Sequence, residues 1–380
     1  MALYEIAVLG LPAEHQKSEL SNCISQMIKP FGLCLGDEFS LTTADANFRS
    51  SQRTPAVIAF FGAADIAEEG LEALRRTGIP ILPIVSAEGR FATEVPLQLQ
   101  ALNGLAYSPN KPERIAAALL ESLGLLPRQR RVFLSYRREE ARQAALQLFD
   151  SLSARVFDVF LDTHRVGSAE DFQAVLWHRL CDSDVLVMLD TTSYFDSRWT
   201  SAEFGRALAK GISVLRVGWP SVVASPRAST ASRVDLDVKD IDASSGRLTD
   251  DAVDRICRQL ELVRAQSHAI RHLNLFSKIK QGVECIGGSI IGVGIHNAAH
   301  VALPDKREVV IYPVVGVPTS MTLNDAIDQA DGRAAGVAYD HIGLDKRWVE
   351  HLEWLGENIK SAHWVRATEA AWIFAGWGLP

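Results

Sequence analysis

The sequence predicts an α/β layer fold built on parallel sheets. Two observations carry that prediction. Apolar runs of strand length, residues 55–61 and 79–85 among them, read as strands buried on both faces. Amphipathic stretches of helical period alternate with such runs along the first two thirds of the chain, the rhythm of βαβ units. In the first segment, residues 1–127, residues 4–9 form a strand. Residues 14–28 form a helix with Leu20, Cys23, Ile24 and Met27 on one face. Strand 55–61, helix 64–76 ended by Gly78, strand 79–85 and helix 112–123 follow.

Residues 124–130 (GLLPRQR) make a short polar joint, and a second segment, residues 128–267, repeats the rhythm. Strands are expected at 132–135, 157–161, 184–189 and 212–217, and helices at 140–154, 171–180, 200–210 and 250–264. Residues 221–248, rich in Ser, Ala and Asp, read as a long exposed loop. Both segments end with a Gly, an apolar strand (IPILPIV, ISVLRVG), a loop and a helix, the pattern of an internal duplication. The third segment, residues 268–380, holds seven of the ten His and five of the eight Trp, which marks it as a separate α+β module. VECIGGSIIGVGI and REVVIYPVVGV are strand-like; Leu344, Trp348, Leu352, Leu355 and Ile359 share a helical face. Trp348, Trp354, Trp364, Trp372 and Trp377 are expected in its core.

The 380 residues carry 39 Lys plus Arg against 46 Asp plus Glu, a net charge of −7. That balance argues against a protein that mainly neutralises nucleic-acid phosphates. The longest apolar stretch, residues 285–295, is too short and too Gly-rich to span a membrane. The amino-terminal MALYEIAVLG reads as a first strand rather than a signal peptide. Five Cys without CxxC spacing fit a reduced, cytoplasmic compartment and no zinc knuckle. His296 and His300 form HxxxH, but the preceding GVGI argues against the helix a metal site would need, and no metal is expected.

The informative stretch is 131–220. It contains RVFLSYRREE, VFLDTHRVGSAEDFQ and CDSDVLVMLDTTSYFDSRWTSAEFGRALAKGISVLRVGWP. Over about residues 131–265 it resembles the TIR (Toll/interleukin-1 receptor) domain, in particular that of bacterial TIR proteins. The marks are SYRR after the first strand, FLDT opening the next loop, SDVLVMLD, and Trp199 followed four residues on by Glu203. The resemblance implies a flavodoxin-like fold of five parallel strands, and the shared rhythm of the two segments makes residues 1–127 a degenerate relative of it. It further implies cleavage of NAD+, a substrate rather than a cofactor, to nicotinamide and ADP-ribose or a cyclic product. Glu203 would be the catalytic carboxylate. Ser135, Tyr136, Arg137, Arg138, Asp162, Arg165, Phe172 and Trp199 would line the nucleotide site, with residues 162–172 as a gating loop. Arginines suit phosphate or ribose oxygens, and Tyr136 and Trp199 offer stacking faces. Activation by self-association of TIR domains, a trigger ligand or protein at the third segment, and a role in anti-phage defence follow from the same resemblance.

A rival reading stands beside this one. Thr200-Ser201-Ala202-Glu203 fits an S/T-x-x-E capping box, with Trp199 and Phe204 as a hydrophobic staple. A helix-starting Glu203 would suit a non-catalytic TIR adaptor that recruits another TIR protein. In the first segment, ungapped alignment of the two apolar strands puts Gly70 opposite Glu203 and Ile66 opposite Trp199, so no catalysis is expected there.

Overall fold

A computed structural model describes residues 2–62, 66–109, 111–126, 128–161 and 169–377, without the side chains of 169–173. The first sheet is built from β1 (Tyr4–Gly10), β2 (Phe39–Thr43), β3 (Ala56–Phe61), β4 (Ile81–Val85) and β5 (Leu105–Ala106). The helices among these strands are α1 (Glu14–Ile28), α2 (Glu68–Arg75), the single-turn α3 (Phe91–Glu94) and α4 (Glu113–Ser122). The second sheet comprises β6 (Arg131–Ser135), β7 (Asp158–Leu161), β8 (Val185–Asp190), β9 (Ser213–Gly218) and β10 (Ser232–Asp235). Its helices are α5 (Arg138–Ala154), α6 (Ala169–Asp182), α7 (Arg198–Ala209) and α8 (Asp250–Cys285). The third sheet has β11 (Ser289–Val293), β12 (Ala299–Ala302), β13 (Glu308–Val314), β14 (Ala334–Tyr339) and β15 (Ala362–Arg366). With it come α9 (Ser320–Gln329), α10 (Lys346–Asn358) and α11 (Ala370–Ala375).

The first two sheets are wholly parallel and share one strand order, β2-β1-β3-β4-β5 and β7-β6-β8-β9-β10. This is the flavodoxin-like doubly wound order. The third sheet is mixed: β11, β12 and β13 pair antiparallel, then β13, β14 and β15 parallel. The three sheets fall into two compact units. Residues 1–126, 269–341 and 349–380 form one, and residues 127–268 with 342–348 the other.

Residues 221–248 are not a loop. Ser232–Asp235 is β10, the edge strand beside β9, and Ala228, Leu236, Asp240 and Leu248 are buried around it. An edge strand with half-exposed Ser, Arg and Asp lacks the apolar run that marks a central strand. The helix expected at 250–264 continues to Cys285. Val253, Ile256, Cys257 and Leu260 pack into the second unit's core; Leu275, Phe276, Ile279 and Val283 pack into the first unit's. Each set keeps helical spacing, but they serve different cores. The helix expected at 64–76 runs from Glu68 to Arg75, with 63–65 outside the described residues. Of the third segment's tryptophans, Trp377 is buried, whereas Trp372 and Trp354 are 83% and 56% exposed. The short α11 buries Ala370 and Phe374, which turns Trp372 to the opposite face. In the second unit, residues 342–348 lie against α6 and α7. Lys210 Nζ donates to the Ile342 carbonyl at 2.5 Å, Cys181 Sγ to that of Gly343 at 3.1 Å, and Trp348 meets His178 edge-on.

His296 and His300 share no helical face. His296 sits in a turn at φ 59°, its Nδ1 2.8 Å from Glu121 Oε2. His300, on β12, is 3% exposed, with Nδ1 3.1 Å from Arg333 Nη1. Because Arg333 can only donate, Nδ1 accepts and the ring is neutral. Burial, with Arg333 adding to it, pushes the His300 pKa down to about 3 from 6.5. Between those values the unfolded chain takes up a proton that the folded chain refuses, so stability falls as pH drops from 6.5 towards 3. At 1.36 kcal/mol per unit, the loss over that range is on the order of 5 kcal/mol. Urea midpoints at about pH 7 and about pH 4 check this. His300→Gln is expected to weaken the pH dependence, and an equally steep dependence in that variant would refute the assignment.

Candidate active site

Ligands of doubly wound sheets bind beyond the carboxyl ends of the strands, where the strand order reverses. In the second unit that point lies between β6 and β8. Ser135 is the last residue of β6, and Tyr194 lies in the turn that leaves β8 for α7. Glu203, on α7, meets them there. Ser135 Oγ donates to Glu203 Oε2 and is 2.7 Å from the Tyr194 hydroxyl. All three are buried, with Glu203 6% exposed.

Glu203 is not a helix cap. The helix begins at Arg198, and its N-cap is Ser197, whose side chain accepts from the Thr200 amide. Thr200 therefore stands at the third helical position, and its hydroxyl donates to the Tyr194 carbonyl. Glu203 falls a full turn later, too far on to reach the N-cap amide. The capping box and its staple are thus replaced by a Ser197 cap, and Phe204 belongs to the core between helix and sheet. The signal for this start was the Ser three residues before Thr200.

The other expected site residues are distributed unevenly. Tyr136 is turned into the core on the α5 side of the sheet and presents no free stacking face. Arg137 Nη1 donates to the Ser193 carbonyl at 2.8 Å and Nη2 to Glu139 at 3.3 Å, clamping the segment that follows β8. Arg138 is exposed at the start of α5, and Trp199 is 45% exposed in the first turn of α7. Asp162, Arg165 and most of the expected gating loop lie outside the described residues. Phe172 is in α6, its side chain undescribed.

Tyr194 and Glu140 are neighbours that sequence reasoning missed. Burial opposes the charge on Glu140. The Ser193 amide, donating to Oε2 at 3.3 Å, with Arg137 nearby, still holds its carboxyl below the usual range. Asp190, the last residue of β8, is occupied by Arg216 of β9, Nε to Oδ2 at 2.5 Å, and the same guanidinium reaches Asp235 at 2.6 Å. Gly218 makes that possible, since a Cβ there would lie 2.5 Å from Arg216 Nη1. Asp190 is held in an ion pair, whereas Glu203 at the switch point accepts from the Ser135 hydroxyl.

A family model described as the TIR domain matches residues 132–257, the stretch that contains β6 through most of the second unit. The chain carries a TIR domain. The match spans the sheet, Ser135, Tyr194 and Glu203. No curated protein matches the chain. Among solved structures, a probable two-component system response regulator/GGDEF domain protein aligns at 14% identity, covering 68% of this chain and 98% of its own, with a TM-score of 0.25. An ABC transporter substrate-binding protein from Desulfitobacterium hafniense aligns at 12% identity, covering 72% and 89%, with a TM-score of 0.20. Scores this low say nothing about fold or function. No helix among the described residues is long and apolar enough to cross a membrane.

Proposed function

We propose that the TIR domain is an NAD+ glycohydrolase with Glu203 as its catalytic carboxylate. The observation that carries this reading is the position of Glu203: a buried acid at the switch point of a parallel sheet, with no capping role to account for it. Cleavage breaks the bond from ribose C1′ to the nicotinamide nitrogen, and the electron pair leaves with the ring. Positive charge moves from the pyridinium to the sugar, as in glycoside hydrolysis. A carboxylate beside the ribose stabilises that cation. Nicotinamide departs neutral, so no general acid is needed, and one Glu suffices. Water captures C1′ with loss of a proton, giving ADP-ribose; capture by an adenine nitrogen gives the cyclic product instead.

In the present conformation Glu203 is 6% exposed and one of its oxygens is engaged by Ser135. A ribose reaches it only after local opening, which fits an enzyme kept off until TIR domains associate. The setting we propose is bacterial anti-phage defence by NAD+ depletion, with the third segment receiving the trigger; this part rests on the resemblance alone. The rival is an adaptor that recruits another TIR protein. Its best support was the capping role of Glu203, which Ser197 takes instead. Incubating the protein with NAD+ under crowding, beside Glu203→Ala, separates the two by chromatography. Nicotinamide release from the wild type alone supports the enzyme; equal release from both, or none, supports the adaptor.

A further inference from the structure

Glu203 is held through a chain of two hydroxyls, and the chemistry of the three groups fixes its direction. An ionised carboxylate can only accept, so the Ser135 proton points to Glu203 Oε2. The Ser135 oxygen then accepts, and the Tyr194 hydroxyl, 2.7 Å away, is the donor. We propose that Tyr194 is a positioning residue for Glu203, acting through Ser135 to hold the carboxylate as an anion in one orientation at the end of β6. This rests on the reading of Glu203 as the acting group.

The surroundings are built for that task. Tyr194 is fully buried, and its ring packs edge-on to Phe195 at 5.1 Å, which in turn packs edge-on to Phe204 at 5.4 Å. Its amide donates to the Thr191 carbonyl, and its own carbonyl accepts from Thr200. Backbone and ring are thus tied at both ends, so the phenol stays aimed at Ser135. Burial, with the Glu203 charge adding to it, keeps the phenol protonated far beyond neutral pH. The charged groups that act on Tyr194 are Glu203 from α7 and Asp190 from β8, the latter paired with Arg216 from β9. A donor chain ending on an anion strengthens each link and stabilises the charged form. Without the phenol, Ser135 is free to rotate, and Glu203 loses part of that stabilisation.

The test is the titration of Glu203 in the full-length protein, followed by the carboxyl carbon signal of 13C-labelled glutamate and assigned by its absence in Glu203→Gln. Tyr194→Phe is expected to raise the midpoint by about one pH unit and to move the acid limb of nicotinamide release by the same amount. Ser135→Ala breaks the same chain from the other side and is expected to do likewise, so it carries the test if Tyr194→Phe does not fold. Ser135→Thr, which keeps the hydroxyl, is expected to restore the wild-type midpoint. A merely structural tyrosine would lower the unfolding temperature and leave the midpoint in place, and an unmoved midpoint overturns the proposal. The titration needs no turnover. Absent nicotinamide release with a moved midpoint would sink the enzymatic reading and leave the relay standing; release with an unmoved midpoint would do the reverse.

Discussion

Replacing Glu203 by Gln is expected to cut nicotinamide release by about a hundredfold or more, the usual scale for losing one preorganised electrostatic contact in a water-poor site. Gln has the same shape, and its carbonyl still accepts from Ser135, so the core around Tyr194 and Phe204 stays intact. What disappears is the negative charge as the sugar becomes cationic. The loss should therefore fall on kcat, with KM little changed. Matching unfolding curves for wild type and variant would show that the fold is not the cause. Activity within a few fold of the wild type would remove Glu203 from the chemistry.

The second large effect is expected at the opposite end of the same sheet. Arg130 and Arg264 are fully buried there, with Glu261 and Asp184 5% and 1% exposed. Arg130 Nη2 lies 2.9 Å from Glu261 Oε2, and its guanidinium stacks 4.1 Å from the centre of the Phe157 ring. Arg264 Nε lies 3.3 Å from Asp184 Oδ2, and Nη2 donates to the Gln129 carbonyl at 3.1 Å. Asp184 also accepts from the Arg131 amide, the first of β6. The network fastens α8 to the amino ends of β6 and β8. The two buried arginines face two buried carboxylates, with Arg131 4.0 Å from Asp184 at the edge, so removing either buried arginine leaves a buried acid short of its partner. Arg264→Met keeps much of the volume but takes from buried Asp184 its nearest cation, leaving Glu261 with Arg130, and is expected to cost about 3–5 kcal/mol. In a domain of this size that lowers the melting temperature by on the order of 10 °C. A loss below about 1 kcal/mol would mean that water or relaxation replaces the arginine.

Most central strands were legible because burial on both faces leaves a continuous apolar signature, as in residues 185–189 of β8 (VLVML). β2 and β10 were missed because edge strands carry polar, half-exposed residues. The third segment was the least legible. Its sheet pairs antiparallel at one edge and parallel at the other, and α11 is too short to show a period. At the site, Glu203 stood out by spacing from Trp199, yet its role was ambiguous until Ser197 proved to be the cap. Tyr194 carries no spacing signal of its own. Its meaning comes from the fold, which brings the turn after β8 against the end of β6. The core position of Tyr136 follows similarly from the direction in which the chain leaves β6, which residue type does not reveal.

The most direct test of the central claim is a structure of the assembled protein with a non-cleavable NAD+ analogue. The expected result is the Glu203 carboxylate within about 2.6–3.2 Å of a ribose hydroxyl on the nicotinamide side, in the crevice between the ends of β6 and β8. A sugar bound elsewhere, with Glu203 still closed against Ser135, would contradict it.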